Sequence, residues 1–243
     1  MIMKLPVIEG MLDRRILLNY RFDPEYLVRF VPAPFIPRIH KNNGIGGICM
    51  IRFKELRPRH FPQVLGIDSE NAAHRIAVEW IYQGDRQHGV FIPRRDTAST
   101  FNYLAGGRIF PGIFKKSVFR VKEGGGHYRV EIADGESEPH VMFDGEECPE
   151  FSKKSIFESL GEASEFFAKG AFGYSLAKER RHYQGMELRL LEWHISPLQI
   201  NQAYVKMYED EKVFPKGTVQ VDSAMIMKRL KHEWHNIPEM RAE

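Results

Sequence analysis

Apolar and polar side chains alternate with a period of two along much of this chain, the signature of half-buried β-strands. Arg15 to Arg21 (RILLNYR) reads as a strand, and Phe35 to His40 as another. Ile45 to Phe53 is almost wholly apolar and reads as a central strand. Ala73 to Tyr82 has the clearest alternation. One face carries His74, Ile76, Val78, Trp80 and Tyr82; the other carries Ala73, Arg75, Ala77, Glu79 and Ile81. A turn at Gly84-Asp85 returns the chain through Val90 to Arg95. Ile113 to Lys122 pairs across the Gly124-Gly125-Gly126 turn with Tyr128 to Ala133, and a further strand lies near Val141. Leu188 to Trp193, Ala203 to Tyr208 and Val219 to Met227 complete the strands.

Three short helices interrupt this pattern. Asp23-Pro24-Glu25 has a capping Asp, a Pro suited to the first helical position and an acid at the positive end of the helix dipole. Tyr26, Leu27 and Phe30 give that helix an apolar face, and Pro32 and Pro34 stop it. Asp96 is placed to cap a second helix running to Leu104, ended by Gly106-Gly107. Ser155 and Glu158 fit a capping box for a third, ending near Gly170, with Phe157, Leu160 and Phe167 along its inner stripe. Between Arg57 and Asn71 the pattern lapses around Pro58, Pro62 and Gly66, which predicts a long irregular connection of the kind that is often functional. The class is therefore α+β, mainly antiparallel β with a few short helices. Without repeats, linkers or composition breaks, residues 1–243 read as one domain.

Composition narrows the function classes. Hydrophobic residues make up 43% of the chain, enough for a sizeable core. The net charge of +3 comes from scattered basic residues, which argues against a nucleic-acid surface. No apolar run has the length of a membrane-spanning helix. The opening MIMKLPVIEGMLDRR lacks the apolar region and cleavage site of a signal peptide. Cys49 and Cys148 make no disulfide framework and read as free thiols, which points to the cytoplasm.

Candidate chemistry falls in four places. Lys115 and Lys116 lie in IFKKSVF, where alternation sends them to opposite faces. A lysine forced into an apolar cavity loses affinity for its proton, and the neutral amine attacks carbonyls to form a Schiff base. The bland alternative is a pair of lysines reaching solvent at a strand end. Arg75 and Glu79 share a strand face about 13 Å apart, too far to pair directly. If that face is interior, Arg75 holds a carboxylate and Glu79 shuttles protons; if exterior, both are solvated. In FIPRRDT, alternation places one of Arg94 and Arg95 inward, and Arg95 becomes a candidate anion clamp. His232-Glu233-Trp234-His235 is one residue short of the zinc-helix spacing and has no evident third ligand, so no metal centre is expected. Phosphate-loop, dinucleotide, paired-cysteine and serine-elbow patterns are absent, and no cofactor is expected.

As a set, HRIAVEW (74–80), IPRRDT (92–97), LAGGRIFPG (104–112), FGYS (172–175), DSAMIM (222–227) and HEWH (232–235) resemble the "domain of unknown function 2071" family, grouped with the acetoacetate-decarboxylase-like superfamily. The resemblance implies a closed, cone-like antiparallel β-barrel with short flanking helices, an internal ligand cavity and a homo-oligomer. LLNYRFDPEYLVRFVPAP and FPGIFKK are similar to segments of acetoacetate decarboxylase itself, which makes Lys115 the matching nucleophile and Lys116 its neighbour. Arg14 or Arg15 is the nearest counterpart of that enzyme's active-site arginine. Where the enzyme has a glutamate on the next central strand, this chain has IGGICMIRF, with Arg52 and no acid. The expectation is a cavity for a small anionic, oxo-acid-like ligand held by Arg75, Arg95, Arg52 and Arg15. A Schiff-base lyase using Lys115, Lys116 and Glu79 is one alternative, and a non-catalytic interaction module is another.

Overall fold

In the computed structural model, residues 6–106, 111–177 and 182–241 are described. Gly107 and the 107–110 part of the LAGGRIFPG motif lie outside them, as do the first five residues of the N-terminal segment. The first half contains β1 (Ile8–Phe22), α1 (Pro24–Phe30), β2 (Ile36–Pro37), β3 (Ile39–His40), β4 (Asn43–Pro58), β5 (Ile67–Tyr82) and β6 (Asp85–Thr97). Next come α2 (Thr100–Ala105), β7 (Phe114–Lys116), β8 (Val118–Gly124), β9 (His127–Ala133), β10 (Val141–Glu147) and α3 (Leu160–Ala168). The chain closes with β11 (Phe172–Leu176), β12 (His182–Leu190), β13 (Ser196–Val205) and β14 (Val219–Arg241).

Pairing runs β1-β4-β5-β6-β11-β12-β14, and β14 pairs with β1 again, so seven strands form a ring of hydrogen-bonded neighbours. The β6–β11 contact is parallel; β1, β4, β5 and β6 are joined antiparallel. From β14 a second run, β13-β10-β9-β8, branches off. No described helix is long and apolar enough to cross a membrane.

Both faces of the central strands are covered. Ile16, Leu18, Ile48, Met50, Ile76 and Val78 pack with Val130, Ile132, Val141 and Phe143 of the branching sheet. Leu17, Cys49, Ile51, Phe53 and Ala77 point the other way, onto Phe157, Phe166 and Phe167 beside or on α3. A strand buried on both faces loses the apolar-in, polar-out distinction, and at the centre of β5 Arg75 and Ala77 are buried on one face as His74, Ile76 and Val78 are on the other. At the centre of β4, Gly47 has φ +147°, and a Cβ there would lie 2.1 Å from the Leu18 carbonyl oxygen. Only glycine allows β1 and β4 to come so close at this point.

Several predicted elements shift. α1 is capped by Asp23, whose Oδ1 accepts from the Glu25 amide at 2.9 Å, as its sequence implied. The long irregular connection contracts, because β4 runs on to Pro58 and β5 begins at Ile67. Asp96 does not cap α2. It lies within β6, and the Ser99 hydroxyl caps the helix instead. The capping box of α3 is Ser159 and Glu162, one turn later than predicted, because Ser155 Oγ donates to Asp222 Oδ2 at 2.7 Å. The predicted strand from Ile113 to Lys122 is broken at Ser117 into β7 and β8. His232 to His235 lie on β14, not on a helix, so neighbouring histidine and glutamate side chains alternate between faces.

Candidate functional site

Strand register brings together residues far apart in sequence. Leu17 of β1, Cys49 of β4, Ala73 of β5 and Arg95 of β6 form one cross-strand row. One row away toward the start of β1, Arg15 pairs with Ile51 and Ile51 with Asn71. On the other side, Asn19 pairs with Gly47 and Gly47 with Arg75. Cys49 therefore lies diagonally between Arg15 and Arg75, and Ala73 leaves space between Cys49 and Arg95.

Apart from Asn19 and Gly47, these residues line a pocket, together with Arg38, Asn102, Phe114, Phe166 and Phe167 among others. Arg75 is buried. Its Nε donates to Cys49 Sγ at 3.1 Å, and it also donates to Asn19 Oδ1. Its guanidinium lies 4.7 Å from the Phe167 ring centre. Arg15 reaches Cys49 Sγ at 3.7 Å, while its buried Nε has no partner among the described residues. Arg95 donates to Ser175 Oγ at 3.1 Å and lies 5.6 Å from the Phe114 ring centre. Burial lowers its pKa to about 10, a shift that Cys49 partly opposes. Arg38 donates to the Phe166 carbonyl at 3.2 Å and stacks 4.0 Å from that ring's centre.

The charge balance of this pocket is one-sided. Arg15, Arg38, Arg75 and Arg95 line it, while no Asp, Glu or Lys does among the described residues. Nor do Arg15, Arg75 and Arg95 form an ion pair with any described carboxylate. Buried cations without counter-ions are costly, and a bound anion relieves the cost. Cys49 contributes as well. Burial by itself pushes its thiol up, but the Arg75 and Arg15 cations outweigh it and lower the pKa.

The other predicted site residues lie elsewhere. Lys115 and Lys116 are both exposed, and the Lys116 ammonium donates to the Ala98 carbonyl. Of the two readings, an inward lysine or a pair reaching solvent at a strand end, the structure has the second: among the described strands β7 pairs with β6, and Phe114 faces the pocket instead. Arg52 shares a face with Arg14, opposite Arg15. Arg52 Nε pairs with Glu70 at 2.7 Å and its guanidinium also binds Glu123, so it is neutralised outside the pocket. Glu79 lies near the end of β5, where Arg86 donates to it at 2.8 Å, and it does not line the pocket. Arg38 and Cys49 are pocket residues that sequence reasoning passed over. Alternation within Phe35 to His40 was the only signal for Arg38, and Cys49 was read only as a buried thiol.

A second polar cluster lies behind the pocket. Buried Asp96 accepts from Arg94 Nη2 at 2.7 Å and from Ser117 Oγ at 2.8 Å. Arg94 Nη2 also reaches Asp134 at 2.8 Å and His140 Nε2 at 2.9 Å. Asp96, Asp134 and His140 together have the donor types of a metal site. However, the Arg94 guanidinium hydrogen-bonds to all three and occupies the place a cation would take.

No protein-family model matches this chain, and no curated protein matches it in sequence. Solved structures do match. Acetoacetate decarboxylase from Legionella pneumophila aligns at a TM-score of 0.61 and 10% identity, over 97% of this chain and 88% of that one. An acetoacetate decarboxylase-like enzyme from Sphingomonas wittichii RW1 aligns at 0.60 and 12% identity, over 98% and 93%. The enduracididine biosynthesis enzyme MppR, complexed with pyruvate, aligns at 0.59 and 9% identity, over 100% and 92%. The fold is that of acetoacetate-decarboxylase-like proteins. At these identities the likeness extends to the fold alone, and the resemblance to the 2071 family rests on its motifs.

Proposed function

We propose that this protein binds a small carboxylate-bearing molecule of the oxo-acid class in the arginine-lined pocket. The observation that carries the reading is the set of Arg15, Arg38, Arg75 and Arg95 around a pocket with no carboxylate in its lining among the described residues. Arginine suits the task because its planar fork matches a carboxylate and stays charged when buried. That MppR is found complexed with pyruvate supports the choice of ligand class. In this reading the ring of seven strands is a closed, cone-like barrel, residues 1–243 are one domain, and the pocket is its internal cavity. The cytoplasmic compartment and homo-oligomeric state follow the family resemblance and the two free cysteines.

A lyase that forms a Schiff base on Lys115 is not part of this reading, since both candidate lysines are exposed and no described lysine lines the pocket. Thermal unfolding with a panel of small ligands tests the proposal. Pyruvate, 2-oxoglutarate and acetoacetate should raise Tm, and the uncharged amide of pyruvate should not. Equal shifts from acid and amide, or none from any acid across the panel, would overturn it.

A further inference from the structure

We propose that Cys49 is a nucleophile of this pocket, adding through Sγ to the carbonyl carbon of the carboxylate-bearing ligand. This inference rests on the binding reading above and adds a covalent step to it.

Three observations converge. First, Cys49 sits at the centre of the arginine set. Arg75 Nε and Arg15 Nη2 lie 3.1 and 3.7 Å from Sγ. Two cations aimed at one sulfur favour thiolate over thiol, and the thiolate is the reactive form. The direction of the Cys49 shift agrees. Second, Cys49 lines the pocket, whereas Cys148 lies outside it and carries a thiol raised by burial. Third, cations remain for the ligand itself. Among the described residues Arg95 donates to the Ser175 hydroxyl and lies beside the Phe114 ring but pairs with no carboxylate, and the buried Arg15 Nε is a donor without a partner. One guanidinium can hold the carboxylate while another faces the oxygen on which charge develops.

The step balances without an oxidant or reductant. The thiol proton passes to solvent, and the sulfur lone pair forms the Sγ–C bond. The carbonyl π pair moves onto oxygen as an alkoxide, which takes a proton from water. The product is a reversible hemithioketal, or a hemithioacetal with an aldehyde acid.

Charge-selective alkylation tests the nucleophile. Iodoacetate and iodoacetamide each form an S–C bond and release iodide, but only iodoacetate carries the carboxylate the arginines would hold. Peptide mapping at pH 7 should show Cys49 reacting at least about tenfold faster with iodoacetate than with iodoacetamide, after normalising to Cys148. Excess pyruvate should protect Cys49, and Arg15→Gln should reduce the preference. Carbon NMR with carbonyl-labelled glyoxylate should show a tetrahedral carbon bound to protein, absent in Cys49→Ala. Cys49 left unlabelled in folded protein while Cys148 reacts, or labelled without preference for the anion, would overturn the proposal. If pyruvate still raises Tm in that case, the binding reading survives alone. If pyruvate neither raises Tm nor protects Cys49, both fall.

Discussion

His74 and His232 are nearly fully buried, and burial lowers each pKa to about 4. In the unfolded chain they would protonate near pH 6.5. Between pH 6.5 and 4 the unfolded state therefore binds protons that the folded state refuses, and stability falls as pH falls through that window. Each histidine should contribute a loss on the order of 3 kcal/mol across it. Urea unfolding at pH 7 and pH 4.5 checks this, and His232→Leu should shrink the difference. Asp96 is shifted down as well, but for a different reason: its partners His140 and Arg94 overcome its burial and hold it far below the usual carboxylate range. Asp96→Asn leaves Arg94 with a weakened buried partner and should cost about 3–5 kcal/mol in denaturant unfolding. Alternation narrowed Arg94 and Arg95 to one inward side chain and left the Arg75 face open, while Arg15 entered through the family resemblance; the structure puts Arg15, Arg75 and Arg95 in the pocket lining. For Lys115 and Lys116 the solvent-reaching alternative holds, and nothing local reveals that β7 is a three-residue strand with one described neighbour.

Elements were legible where their signals were local. Asp23-Pro24-Glu25 starts α1 as its chemistry demands. Two Ser-x-x-Glu boxes, Ser155–Glu158 and Ser159–Glu162, compete for the start of α3. Asp222 of β14 decides between them by engaging both the Ser155 hydroxyl and the Ile156 amide. That contact spans 67 residues and has no local trace. α3 carries Phe166 and Phe167 against the pocket arginines. Ser159→Ala removes its cap and should cost about 1 kcal/mol, lowering Tm by about 2–4 °C and weakening ligand binding with it. The β1–β4 contact is more sensitive. Gly47→Ala adds a Cβ against the Leu18 backbone and should cost more than about 2 kcal/mol by chemical denaturation. β14 ran well beyond the predicted Val219 to Met227, because its far half pairs with β12 rather than continuing one apolar face.

At the scale of the whole molecule, the antiparallel β character could be read from the chain, but the inward faces could not. Period-two alternation identifies an interior only when one face meets water, and here β1, β4 and β5 have a core on each side. Ring pairing through β14 and β1 then turns scattered arginines into one cluster. Isothermal titration of pyruvate tests that cluster most directly. The account predicts binding to the wild type, weakened about tenfold or more in Arg95→Gln, a loss of about 1.4 kcal/mol. Lys115→Ala should change affinity by less than about twofold, as expected for an exposed residue outside the pocket. Affinity unchanged in Arg95→Gln, or abolished in Lys115→Ala, would contradict the account.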